Sequence, residues 1–69
     1  MTVITLNGER RVLGEAATIE AAVRALGTQD ARGMAVALDG EVIPRGQWAT
    51  TEVRDGQRVE VLHAVQGGA

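Results

Sequence analysis

The chain has 69 residues, of which 45% are hydrophobic, with one aromatic (Trp48), no cysteine and a formal charge of −2. That length makes one small domain, whose core must be packed from Val, Ile, Leu and Ala without a disulfide to staple it. Seven arginines, no lysine and nine scattered acids form no basic stripe, and a single aromatic is no stacking platform, so nucleic acid is not an expected partner. No basic segment followed by an apolar run opens the sequence, and no apolar run approaches membrane-spanning length. The expectation is a soluble cytoplasmic protein with no membrane partner. Cysteine, lysine and tyrosine are absent and His63 is the sole histidine. Few nucleophiles or bases remain, so no catalytic residue and no metal site is expected.

Val3-Ile4-Thr5-Leu6 reads as a strand, Asn7-Gly8 as a two-residue hairpin turn, and Glu9 to Val12 as a more polar returning strand. Thr18 is a candidate N-cap, and Glu20 lies in the first turn, where the helix dipole favours an acid. Ile19, Ala22, Val23 and Leu26 repeat at helical spacing and Gly27 suits the C′ position. An amphipathic helix of about two and a half turns follows. Polar residues 29–33 predict a loop, Met34 to Leu38 a buried strand, Asp39-Gly40 a turn, and Glu41 to Ile43 a short strand stopped by Pro44. Arg45 to Thr51 is a loop or short helical turn holding Trp48, expected to plug the core.

After the Asp55-Gly56 turn, Arg58 to Val65 predicts the last strand. Alternation puts Val59, Val61, His63 and Val65 on one face and Glu60, Leu62 and Ala64 on the other. Domain boundaries are therefore 1–65 for the folded body and 66–69 for a tail expected to be mobile. The element order fits an α+β fold, a mixed sheet of four to five strands crossed by one main helix, as in the β-grasp. Periodicity alone is equally consistent with other small α+β domains.

The motifs narrow this. Val42-Ile43-Pro44-Arg45, then Gln47-Trp48-Ala49, Asp55-Gly56, a hydrophobic last strand and Gly67-Gly68 resemble the ThiS family of ubiquitin-like sulfur carriers in order and spacing. The resemblance covers nearly the whole chain and implies a β-grasp fold and a definite chemistry. A ThiF-like enzyme would adenylate the carboxylate of Gly68 with ATP, sulfur would displace AMP to leave a thiocarboxylate, and thiazole synthase would receive the sulfur for thiamine biosynthesis. On that reading the protein is a carrier, not an enzyme. It binds no cofactor and carries only the thiocarboxylate modification. Gln66 and Gly67 would thread an active-site channel, narrow enough at the two glycines, Gly67 and Gly68, that a Cβ there would clash. Extended, the stretch from Val65 to Gly68 reaches at most roughly 14 Å.

Ala69 departs from the family pattern, because Gly68 then has an amide where activation needs a carboxylate. Removal of Ala69 by a JAMM-type metallopeptidase is the expected remedy. Activation of Ala69 itself, an Ala69 foreign to the natural chain, or an inactive copy are the alternatives. Leu62, apolar on the outer strand face near the tail, is a candidate partner contact. Arg45 could meet an acidic patch on the activating enzyme or be a solvated loop arginine. His63 is read as packing or half-exposed, not catalytic. Competing functions are a carrier feeding molybdopterin, cysteine or a secondary metabolite, a ubiquitin-like protein modifier, and a β-grasp interaction module without acyl chemistry.

Overall fold

The computed structural model describes residues 1–27 and 33–63, the last of these by its main chain alone. Its elements are β1 (Thr2–Leu6), β2 (Glu9–Leu13), α1 (Ile19–Ala25), β3 (Met34–Leu38), β4 (Glu41–Ile43), a 3₁₀ turn (Arg45–Gln47) and β5 (Arg58–His63). The predicted loop residues 29–32 and the predicted strand end at Ala64 and Val65 lie outside the described residues, as does the tail from Gln66 to Ala69.

Both hairpins close on the turn chemistry their sequences demand. Asn7 and Gly8 have φ of 51° and 83°, and Asp39 and Gly40 have φ of 49° and 87°. Positive φ at both central residues is the type I′ geometry, whose twist matches that of the flanking strands. The first hairpin pairs Val3 with Val12 and Thr5 with Arg10, and the second pairs Val36 with Ile43 and Ala37 with Val42. The sheet has the order β2-β1-β5-β3-β4, with β5 parallel to β1 and antiparallel to β3. Two hairpins flanking a central parallel pair, with one helix across the sheet, is the ubiquitin-like β-grasp architecture.

Alternation in the strands sends Ile4, Leu6, Val36, Val59 and Val61 inward. They meet Ile19, Ala22 and Val23, the apolar stripe of α1. Thr18 caps that helix as expected, its Oγ1 accepting from Ala21 N–H at 3.2 Å. Glu20 and Arg24 pair along the exposed side at 3.7 Å, an interaction worth a few tenths of a kcal/mol. The helix ends at Ala25, Leu26 forms the C-cap, and Gly27 turns away with φ of 81°. Arg11 of β2 donates to the Ala25 carbonyl at 3.1 Å, placing a cation where the terminal carbonyls are unpaired.

Trp48 is buried to 5% exposure, and its indole N–H donates to the Ile43 carbonyl at 3.0 Å. The same stretch fastens the start of the helix. Glu20 N–H donates to the Trp48 carbonyl and Ile19 N–H to the Thr51 carbonyl, so donors that no helix can satisfy internally are paired. Val53 N–H then donates to the Ala17 carbonyl and both side chains are buried, which periodicity did not indicate. Asp55, in the turn read from Asp55-Gly56, accepts the Val3 N–H through its carboxylate, while Gly56 N–H donates to the Val3 carbonyl.

Trp48 thus joins the end of β4 to the start of α1. Trp48→Ala should lower unfolding stability by about 3–5 kcal/mol. Trp48→Phe, which keeps most of the volume but removes the indole hydrogen bond to the Ile43 carbonyl, should cost about 0.5–1.5 kcal/mol. Urea titration followed by far-UV circular dichroism checks both, with the midpoint falling and the slope unchanged.

Candidate functional site

With Val59 and Val61 committed to the core, the side chains that alternate with them, at positions 60 and 62, project from the sheet face opposite the helix. Leu62 is among them and is 69% exposed. The register sets it beside Ala35, and sets Glu60 beside Ala37, which in turn neighbours Val42. Val42 is also 69% exposed. Together Ala35, Ala37, Val42, Glu60 and Leu62 line a shallow depression of about 130 Å³. Its walls are apolar apart from Glu60. Exposed apolar surface gathered in one place, rather than scattered singly, is the kind of surface that contacts another macromolecule.

Leu62 therefore stands where the sequence placed it, on the outer face one residue before the end of β5. Ala35, Ala37 and Val42 were not singled out from the sequence, although the signal was present. Met34, Val36 and Leu38 occupy one side of β3, so the alanines between them must face the other. Small residues there leave the depression open, and Leu62 and Val42 form its rim.

Arg45 opens the 3₁₀ turn after Pro44 and is exposed. Ile43 lies opposite Val36, and Val36 opposite Val61, so the chain leaving β4 heads toward the end of the sheet at which β5 finishes. Among the described residues Arg45 has no ion-pair partner within 4.0 Å, and its carbonyl accepts from Trp48 N–H. Trp48 belongs to the core and not to the outer face. The His63 side chain lies outside the described part, and so do Gln66, Gly67 and Gly68. Among the described residues no group of His, Asp or Glu is arranged to hold a metal ion, and no helix is long and apolar enough to cross a membrane.

What the geometry presents is an apolar outer face at the root of the chain's final residues. Comparison with known proteins agrees with the architecture. The family model described as the ThiS family matches residues 2–68, from the first residue of β1 to the second tail glycine. The crystal structure of the thiamine biosynthesis protein ThiS from Geobacter metallireducens superposes with a TM-score of 0.78 at 32% identity, covering 97% of this chain and 100% of that one. A thiazole synthase from Paramagnetospirillum magneticum (strain ATCC 700264 / AMB-1) is 33% identical over 66 residues. That match takes in 96% of this chain but 20% of the relative, so the chain spans about a fifth of the length of that protein. On the strength of the family match and the fold shared across the full ThiS structure, the chain belongs to the ThiS family.

Proposed function

We propose that this protein is a sulfur carrier for thiazole formation in thiamine biosynthesis, with Gly68 as the residue that carries the sulfur. The observation that bears most weight is the extent of the family match, which runs through the whole body and continues to Gly68. The structural neighbour's role in thiamine biosynthesis points to the same pathway.

The chemistry needs a free carboxylate at Gly68. With Ala69 attached that carbonyl is an amide, a poor nucleophile toward phosphorus. A peptidase of the JAMM type would use water to cleave the Gly68–Ala69 bond, releasing alanine. A ThiF-like enzyme would then join the Gly68 carboxylate to the α-phosphate of ATP, expelling pyrophosphate. A reduced sulfur donor would displace AMP from the acyl adenylate and leave the thiocarboxylate. The enzyme supplies nucleotide binding and charge stabilisation, and this chain supplies an acyl group on a glycine stem.

Thiazole synthase is the proposed recipient. Support comes from the relative in which a stretch resembling this chain occupies about a fifth of a protein named thiazole synthase. The outer face around Leu62 and Val42 offers the apolar contact for docking such partners, and the exposed Arg45, on the turn after β4, offers a charge.

Mass measurement of the C-terminal peptide from native cells is the direct test. The expected species ends at Gly68 and is heavier than the plain acid by the difference between sulfur and oxygen. A thiocarboxylate on a chain that retains Ala69 would overturn the trimming step, and an amide from Gly68 to a target lysine would make the protein a modifier instead. Deleting Gly68 and Ala69 should produce a requirement for the thiazole moiety.

Leu62→Glu tests the docking face. It should leave stability within about 0.5 kcal/mol, since the side chain is exposed. It should weaken binding to the adenylating enzyme by at least tenfold, consistent with a hot-spot loss above about 1 kcal/mol. Calorimetric titration alongside a thermal melt separates the two effects.

A further inference from the structure

On its β5 side, β1 uses alternate residues as rungs. Thr5 N–H donates to the Gln57 carbonyl at 3.0 Å and Asn7 N–H to the Val59 carbonyl at 2.9 Å. In a parallel ladder the next rung would pair the Val61 N–H with the main-chain carbonyl of Asn7 and the Val61 carbonyl with the N–H of Glu9. The main chain is not there to provide it, because Asn7 and Gly8 have already turned into the hairpin. The Asn7 side chain takes its place. Its Oδ1 accepts the Val61 N–H at 2.7 Å and its Nδ2 donates to the Val61 carbonyl at 3.3 Å.

A carboxamide offers one acceptor and a donor in a plane, as a peptide group does, so it can serve as a rung without a backbone. Its orientation is fixed by its partner, since the Val61 N–H can only donate and the Val61 carbonyl can only accept. Asp55 performs the matching service at the opposite end of the pair, where its carboxylate takes the Val3 N–H at 2.6 Å. Side chains thus extend the β1·β5 contact at both ends beyond the register Thr5↔Arg58 and Leu6↔Val59.

The Asn7 rung falls at a decisive place. Val61 is buried at 7% exposure, Leu62 follows on the outer face, and β5 ends at His63. On its other edge β5 is held by β3 as far as the Met34↔His63 pair. Without the Asn7 side chain, the edge toward β1 would be fastened no further than Val59, and the last part of the strand would be held from one side alone.

We propose that Asn7 is a positioning residue for the carrier chemistry, gripping Val61 so that β5 is fixed on both edges where the chain departs toward Gly68. Asn7 touches neither nucleotide nor sulfur and acts through Val61. The inference rests on the carrier reading of Gly68. It adds a requirement that the root of the tail be rigid, because a reacting carboxylate displaced by about 1 Å can cost on the order of 100-fold in rate.

Asn7→Gly is the informative variant, since glycine keeps the positive φ of the turn and removes the carboxamide alone. Wild type and variant, both ending at Gly68, are compared by amide hydrogen exchange and by ATP–pyrophosphate exchange with the ThiF-like enzyme. Far-UV circular dichroism verifies that both are folded. The expected result is exchange at the Val61 amide faster by about tenfold, as for loss of one hydrogen bond, with the Ile4 amide unchanged. The kcat of activation should fall by roughly tenfold or more, with KM altered less than about twofold, because the outer face is intact. Faster exchange at Val61 with a wild-type kcat would reduce Asn7 to a structural role and overturn the proposal. A raised KM at constant kcat would also overturn it, assigning Asn7 to docking. Failure of the wild type to support any ATP–pyrophosphate exchange would sink the carrier reading and the positioning role with it, leaving the amide data to report the grip on Val61 alone.

Discussion

Parallel pairing of β1 with β5 brings Thr5 and Leu6 beside Arg58 and Val59, and a pairing of that kind cannot be closed by a hairpin. The intervening chain has to cross one face of the sheet, and α1 lies on that crossover. The helix buries the inner face, so the strands become apolar on that side and free on the other. Each hairpin then adds its second strand at an outer edge, giving β2-β1-β5-β3-β4. Placing β5 in the middle gives the last described element a partner on each edge. On the proposed carrier reading, the chemistry belongs to the residues that follow this strand in the sequence.

The division between inner and outer faces also divides the labour. Val59 and Val61 stabilise the domain while Leu62, between the core strand and the final residues, is left for contact. Partner recognition and covalent chemistry can then change independently. On the proposed carrier reading, an altered outer face would affect which enzyme docks, and the glycines of the tail would determine whether an acyl group reaches its active site. Pro44 blunts one open edge of the sheet, since β4 stops there, and the charged Glu9, Arg10 and Arg11 cover the other on β2.

Much of this was legible locally. Asn7-Gly8 and Asp39-Gly40 declared their turns, Thr18 and Gly27 bracketed the helix, and alternation around Val61 separated core from surface. Trp48 was recognisable as a core plug because a domain with one aromatic has few other uses for it. The contacts that escaped are those between segments distant in sequence. Ala17 and Val53 are buried because the Thr18↔Glu52 bridge draws two loops together, and no periodicity links them. Arg11 at the end of α1 and the Asn7 amide on Val61 depend on the sheet order, which residue spacing does not contain. The candidate face was partly legible for the same reason. Leu62 follows from alternation within one strand, whereas its companionship with Ala35 requires the pairing of β5 with β3.

Trp48 has a further use that its chemistry makes unavoidable. The chain has no tyrosine or phenylalanine, so all of its near-ultraviolet aromatic absorption and intrinsic emission arise from one indole, held dry between the end of β4 and the start of α1. Any opening of that junction would let water reach the ring and shift its emission to the red. Docking on the far side of the sheet would leave the colour unchanged unless it loosened the core. The protein therefore carries a built-in optical gauge of its own interior, one that reads whether an enzyme grips the folded body or pries it apart.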